Sequence, residues 1–241
     1  MKTGIFYGIS VGPGDPELIT VKGARLLSEC RNVFVPKARI ATDSLALEIA
    51  RRYVRADAVI TEMVFPMTSD QSELDKKWLA AAQSVAAILE TGDDACFLSI
   101  GDVLFYSTFI YLLRALKQRI PDVKTVIVPG VPAFNAAAAL TEFELGVGKN
   151  PVTVIPASDD LSAIESALAG NGTVIIMKIG SRLQDIIMLL ERRDLIGNAV
   201  FVSHAGLEKQ MIETNLRKLK GLDPETGYLS IVLVHCSREG K

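Results

Sequence analysis

The stretch Gly8-Ile9-Ser10-Val11-Gly12-Pro13-Gly14-Asp15-Pro16 has the pattern of a strand that ends in a glycine-rich turn and then enters a helix. Asp15 is a good N-cap residue, and Pro16 suits the first helical position. Glycines let a ligand approach the backbone closely, and exposed N–H groups at such a turn suit anions. The dinucleotide fingerprint is not met, because Glu17 stands where its third glycine should be. A structural turn and a ligand-binding loop therefore both remain open for this stretch alone.

Downstream of this turn, apolar runs of about five residues alternate with helical patterns. Such runs are typical of parallel strands whose two faces are covered by helices, and none is long enough to span a bilayer, which needs roughly 20 residues. The alternation predicts a doubly wound, mostly parallel five-stranded sheet. Strands are predicted at 5–11, 32–35, 58–63, 96–100 and 125–128, and helices at 17–30, 43–53, 72–91 (with Ser72 and Asp75 as its capping box) and 107–118.

The second half of the chain predicts a second α/β unit with a mixed sheet. Strands are expected at 152–155, 173–178, 199–204 and 228–235, and helices at 161–169 and 182–192, while 210–216 fits either type. We predict an N-terminal domain at 1–130 and a C-terminal domain at 131–241. The segments 118–123 and 146–151 are both candidates for the linker.

Composition narrows the class of protein. The 241 residues are 49% hydrophobic and 22% charged, which excludes a disordered chain. Lys and Arg number 26 against 28 Asp and Glu, and this balance argues against a duplex nucleic-acid partner but not against a small anionic substrate. Cys30, Cys96 and Cys236 are scattered and odd in number, so we expect buried, reduced thiols in a cytoplasmic protein.

Two more loops follow predicted strands. Residues 101–108 read Gly-Asp-Val-Leu-Phe-Tyr-Ser-Thr, and residues 128–135 read Val-Pro-Gly-Val-Pro-Ala-Phe-Asn and lead into four alanines. Asp102 could bind a ligand amine or hydroxyl, or could simply cap a helix. Because ligands bind at the carboxyl ends of strands in such sheets, three loops of this kind predict one crevice.

The usual catalytic constellations are missing from the sequence. His204 and His235 each end an apolar strand, which favours structural roles. Trp78 falls on the long predicted helix and is expected to be a packing residue. No H-E-x-x-H, Cys-x-x-Cys or G-x-S-x-G motif occurs. We therefore expect neither a metal site nor a nucleophile triad.

These three loops, in this order, resemble the tetrapyrrole methylase family, which comprises class III S-adenosylmethionine-dependent methyltransferases. The resemblance lies in residues 12–16 (Gly-Pro-Gly-Asp-Pro), 101–107 and 128–131 (Val-Pro-Gly-Val), and it extends over essentially the whole chain. Val103 departs from the pattern, because the family commonly has proline after Gly-Asp. This should alter the stiffness of the loop.

The resemblance implies two α/β domains with an active site in the cleft between them and S-adenosylmethionine as the cofactor. It implies no particular catalytic side chain, since the reaction mainly needs alignment and exclusion of water. The expected cofactor-binding residues are Gly101, Asp102, Val103, Tyr106, Ser107, Thr108, Pro132, Ala133, Met177, Lys178, Ala205 and Leu229. The expected substrate-binding residues are Pro13, Gly14, Asp15, Lys37, Arg39, Arg182 and His204, with Lys178 as a further cation for substrate carboxylates.

Within the family, residues 35–38, 64–68 and 106–109 resemble the branch that methylates C20 of precorrin-2 or cobalt-factor II in cobalamin synthesis. Such a substrate is an anionic tetrapyrrole, so cations must line its site. The alternatives are other branches of the family, acting in sirohaem synthesis, diphthamide synthesis or ribosomal RNA methylation, and a non-catalytic nucleotide- or anion-sensing module. A homodimer is expected from the family, and no membrane partner.

Overall fold

The computed structural model describes residues 3–37, 43–65 and 70–236. The contacts between residues group the chain into two compact units. Unit 1 ends at Pro132, and unit 2 begins at Ala133. This division lies two residues after the predicted one and within neither of the two linker candidates.

Unit 1 contains a five-stranded sheet in the order β3-β2-β4-β1-β5. All of its neighbouring strands run parallel, as the sequence predicts. The strand β4 is completely buried, which agrees with the continuous apolar run of its sequence. The strands are β1 Ile5–Ser10, β2 Asn32–Lys37, β3 Val59–Val64, β4 Ala95–Ser99 and β5 Lys124–Val128.

The helices of unit 1 are α1 Val21–Glu29, α2 Leu45–Ala50, α3 Gln71–Glu90 and α4 Phe109–Arg119. Two of the predicted helix caps were wrong. Asp15 and Pro16 begin a separate 3-10 turn, and α1 starts only after Thr20, whose Oγ1 accepts the amide of Gly23 at 3.1 Å. The cap of α3 is Asp70 and not Ser72, because Asp70 Oδ1 accepts the Ser72 amide at 2.9 Å.

Helices α3 and α4 pack over one core, in which Phe6, Phe97 and Phe109 are fully buried. Trp78 lies between the rings of Phe65 and Tyr111, with centroid distances of 4.3 and 5.2 Å. The packing role predicted for Trp78 is therefore confirmed.

Unit 2 contains a mixed sheet in the order β6-β7-β10-β8-β9. Only β6 and β7 are parallel, while the other pairs are antiparallel. The ambiguous segment 210–216 forms the short edge strand β9. The strands are β6 Val152–Pro156, β7 Thr173–Met177, β8 Ala199–Ser203, β9 Met211–Glu213 and β10 Ser230–His235, and the helices are α5 Ala133–Thr141, α6 Ser162–Leu168 and α7 Leu183–Arg192.

The three cysteines, which the sequence predicts to be buried, are buried. They are free thiols, each at most 9% exposed. The His235 ring stacks on Phe143 at 3.9 Å and its Nδ1 lies 3.3 Å from Thr173 Oγ1, in keeping with a structural role. Among the described residues, no helix has both the length and the apolar character to cross a membrane.

Candidate functional site

The first two glycine loops of unit 1 meet at the carboxyl edge of its sheet. The amide of Gly101 donates to the carbonyl of Gly12 at 2.8 Å, and the amide of Val11 donates to the carbonyl of Ser99 at 2.9 Å. Gly12 has a φ of 78°, a left-handed conformation that glycine adopts without strain. The predicted convergence of these loops is confirmed within unit 1.

Asp102 connects the second loop to the third. Its Oδ1 accepts the amide of Leu104 at 2.8 Å, and its Oδ2 accepts the amide of Gly130 at 2.9 Å. The first bond forms an Asx turn, and the second crosses to the Val-Pro-Gly loop. Asp102 is thus more than a local helix cap, because its carboxylate fixes two loops at once.

Ser10, which sequence reasoning did not single out, lies beneath the same loops. It is fully buried, and its Oγ donates to the carbonyl of Val128 at 2.7 Å and accepts the amide of Val103 at 2.9 Å. A Cβ added to Gly130 would overlap Ser10 and would lie 2.6 Å from the carbonyl oxygen of Gly101. A hydroxyl at the end of an apolar run, directly before a glycine turn, is the sequence signal for such a residue.

The segment that leads into α4 combines an unusual backbone with an internal hydroxyl pair. Tyr106 has a φ of 50° and is 41% exposed, a conformation that costs about 1–3 kcal/mol for a non-glycine residue. Ser107 Oγ lies 2.7 Å from Ser99 Oγ and accepts the amide of Phe109 at 3.1 Å. Ser107 therefore fixes the start of α4, while Thr108 makes no capping bond through its side chain.

The predicted substrate residues of unit 1 differ in what they contact. Pro13 and Gly14 are buried, and Asp15 Oδ1 accepts the amide of Glu17 at 2.8 Å. Lys37 is 8% exposed, and its Nζ lies 3.0 Å from Glu62 Oε2, so its charge is already paired. Arg39 lies outside the described residues.

In unit 2, three predicted site residues lie at one end of the mixed sheet with left-handed backbones. Lys178 directly follows β7, His204 directly follows β8, and Leu229 directly precedes β10, with φ values of 55°, 52° and 47°. The amide of His204 donates to the carbonyl of Leu229 at 3.0 Å. Strained non-glycine residues cluster at functional sites, so this end of the sheet is the candidate site of unit 2.

Burial lowers the pKa of two side chains at this end. Although much of the Lys178 side chain is exposed, loss of solvation around its ammonium group lowers the pKa of Lys178. The pKa of His204 is lowered by burial and, to a smaller extent, by the charge of Lys209. Both shifts mean that the cationic form of the side chain is short of solvation or of a negative partner.

Four more predicted site residues belong to unit 2, and Pro132 is the last residue of unit 1. Ala205 is 6% exposed, and the carbonyl of Met177 accepts the amide of Ala157 at 2.7 Å. Arg182 lies 3.3 Å from the carboxylate of Asp185, so its charge is already paired. Ala133 is the first residue of α5.

A groove of about 640 Å³ lies against the outer face of α1, with Ile19, Val21, Arg25 and Arg52 among its lining residues. It contains none of the predicted cofactor residues, so it is separate from the loops described above. Within the ranges that the structure describes, no group of three or more His, Cys, Asp or Glu side chains could hold a metal ion.

Residues 6–220 match the family model described as Tetrapyrrole (Corrin/Porphyrin) Methylases, and the chain belongs to this family. The cobalt-precorrin-2 C(20)-methyltransferase of Salmonella typhimurium is 33% identical over 96% of both chains. A probable cobalt-precorrin-2 C(20)-methyltransferase of Methanocaldococcus jannaschii is 31% identical over 95% of this chain and 94% of its own. The precorrin-2 C(20)-methyltransferase of a Sinorhizobium species is 27% identical over 96% of this chain and 95% of its own.

Solved structures show the same fold. A cobalt precorrin-4 methyltransferase superposes with a TM-score of 0.72 at 20% identity, covering 96% of this chain and 94% of the other. A Thermus thermophilus uroporphyrin-III C-methyltransferase in complex with S-adenosylhomocysteine superposes with a TM-score of 0.62 at 19% identity. The superposition covers 96% of this chain and 97% of the other. The α/β architecture predicted from the sequence is therefore confirmed.

Proposed function

We propose that this protein transfers the methyl group of S-adenosylmethionine to C20 of precorrin-2 or cobalt-factor II in cobalamin biosynthesis. Family membership supports methyl transfer to a tetrapyrrole, and the names of three relatives aligned over nearly the whole chain support the C20 position. The single structural observation that carries the proposal is the set of three strand-end loops joined by Ser10 and Asp102.

The cofactor residues proposed in unit 1 fit a small ligand held through backbone groups. Asp102 and Ser107 already use their side chains to hold the loops. The amides of Gly101, Val103 and Leu104 also donate within the protein, so the turn at 101–104 would offer backbone carbonyls. When bound, S-adenosylmethionine supplies an electrophilic methyl group. The chain contributes alignment and exclusion of water, which can lower the barrier without a side-chain nucleophile. The contribution of Met177, Lys178, Ala205 and Leu229 stays a prediction.

The substrate's carboxylates need cations, and the described candidates differ in availability. Lys37 and Arg182 already pair with Glu62 and Asp185, so a substrate must compete for them. Lys178 and His204 are short of solvation for their charged forms, and an anionic group beside them would stabilise those forms. We therefore propose Lys178 and His204 as the first carboxylate contacts.

The proposal is tested by incubating the purified protein with S-adenosylmethionine and either precorrin-2 or cobalt-factor II. A mass gain of one methyl group on the tetrapyrrole, at C20 by NMR, supports it, and the ratio of turnovers tells which substrate is preferred. Methylation only of other family substrates would replace the C20 assignment. Cofactor binding with no transfer to any substrate would favour a sensing module.

We also propose a homodimer that works in the cytoplasm. Met211 and Ile212, both 40% exposed on the edge strand β9, leave apolar surface for a second copy, and three free thiols suit a reducing compartment. Sedimentation equilibrium measures the mass in solution, and fractionation of the native cells measures the location. A monomer at micromolar concentration would contradict the proposed homodimer.

A further inference from the structure

The amide of Val103 lies in the turn after β4, at a position where proline is favoured. Phe105 donates its amide to the carbonyl of Asp102 at 3.2 Å, which makes residues 102–105 a β-turn with Val103 at its second position. Proline is favoured at this position because its fixed φ matches the turn. A valine there leaves the φ free and adds a buried N–H that needs an acceptor.

Ser10 supplies that acceptor from a distant part of the sequence. Its Oγ accepts the Val103 amide at 2.9 Å while donating its own proton to the carbonyl of Val128 at 2.7 Å. Ser10 is the last residue of β1, the strand that lies between β4 and β5. The hydroxyl therefore joins the ends of β1 and β5 to the loop after β4, at a point where both Ser10 and Val103 are fully buried.

We propose that Ser10 is a positioning residue for the cofactor, and that its hydrogen bond to Val103 gives the 102–105 turn the rigidity that a proline would otherwise provide. This inference rests on the proposed function, because it assigns the turn to cofactor binding. Asp102 holds the outer side of the turn through Leu104 and Gly130. Ser10 holds the inner side, so the turn is fixed from both directions.

The first experiment follows the amide itself. In Ser10→Ala, the Val103 amide loses its acceptor, and its hydrogen exchange measured by NMR should become at least about tenfold faster. The matched control is Ser44→Ala, which removes another buried hydroxyl of unit 1 that donates to a backbone carbonyl, that of Pro36 at 2.9 Å. Unchanged exchange at Val103 in Ser10→Ala would overturn the proposal, whatever the protein's activity.

The second experiment is a double-mutant cycle on S-adenosylhomocysteine affinity, measured by calorimetry. Ser10→Ala should weaken binding by about tenfold with KM for the cofactor raised more than kcat is lowered, whereas Ser44→Ala should bind as wild type. In a Val103→Pro background, where no amide needs an acceptor, the added cost of Ser10→Ala should fall to about twofold or less.

The outcomes separate the two proposals. If the wild type binds no S-adenosylhomocysteine, the proposed function fails, and the exchange experiment still tests the hydrogen bond. If the wild type binds and Ser10→Ala costs the same in both backgrounds, Ser10 acts only through Val128 and the positioning role is wrong. If Val103→Pro does not fold, Ser10→Ala with wild-type affinity would by itself overturn the role.

Discussion

The carboxylate of Asp102 holds the amide of Gly130 at 2.9 Å, across the gap between the loops that follow β4 and β5. The two residues are 28 positions apart in sequence, and each follows one of the two strands that flank β1. One side chain thereby sets the spacing of two loops that the family resemblance assigns to the cofactor.

Replacing Asp102 with alanine removes the acceptors of two backbone amides, those of Leu104 and Gly130. We expect Asp102→Ala to lose about 1–3 kcal/mol of unfolding free energy and to bind S-adenosylmethionine more weakly. Urea unfolding and calorimetry measure the two effects. The control is Asp223→Ala in unit 2, where a carboxylate accepts the amide of Glu225 at 2.8 Å. Wild-type cofactor affinity in Asp102→Ala would refute the assignment.

Gly130 has no room for a side chain. A Cβ there would overlap Ser10 and come within 2.6 Å of the Gly101 carbonyl oxygen, so Gly130→Ala must push the third loop away from the second. We expect cofactor binding to be abolished in a protein that remains folded by circular dichroism. Gly197→Ala is the control, since a Cβ at Gly197 would meet nothing within 4 Å. Equal affinity in both variants would show that the loop spacing does not matter.

Leu229 adopts a φ of 47° although it is not glycine, and its side chain is 37% exposed. Leu229→Ala keeps the Cβ that makes this conformation unfavourable, whereas Leu229→Gly removes it. We expect the glycine variant to be about 0.5–1 kcal/mol more stable than the alanine variant in urea unfolding. At Leu222, which is 41% exposed and not in this conformation, the order of the two variants should reverse. If the glycine variant were the more stable one at both positions, the proposed backbone strain at Leu229 would be wrong.

The pKa of His204 lies below its ordinary value of 6.5 because burial, assisted by Lys209, disfavours the imidazolium. The unfolded chain then binds the proton first as the pH falls, so His204 destabilises the fold increasingly below about pH 6.5. The effect is absent well above that pH, where the ring is neutral in both states.

His204→Gln should therefore lose less unfolding free energy than wild type between pH 7.5 and 5.5, as measured in urea. The NMR signal of the His204 ring is identified in the wild type as the one that is missing from His204→Gln. Its titration midpoint should lie below pH 6.5. A midpoint at or above 6.5 would show that the ring is well solvated.

Much of the fold could be predicted from the sequence because parallel buried strands are continuous apolar runs, as in the fully buried β4. The helix starts were harder, since several polar residues compete as caps over a few positions. Thr20 and Asp70 cap α1 and α3, while Asp15 caps a separate short turn. Which of the polar residues caps the helix depends on where the preceding strand ends. The end of the strand is set by tertiary packing.

The glycine and proline motifs located the strand-end loops, but not the bonds that hold them. Ser10 and Val128 are 118 residues apart in the chain, so their hydrogen bond follows from strand order and has no local signal. The left-handed backbones of Lys178 and His204 also escaped sequence reasoning, which extended both strands by one residue. Non-glycine residues give no compositional sign of a positive φ.

The strand order of unit 1 also has a consequence for synthesis on the ribosome. Within unit 1, β1 leaves the ribosome before the other strands of its sheet, yet its two neighbours are β4, which begins at Ala95, and β5, which begins at Lys124. At roughly 5–20 residues per second, this interior strand of the sheet waits several seconds without a hydrogen-bonding partner. In the cell, β1 is accordingly an apolar segment of the nascent chain that a chaperone would protect during this delay.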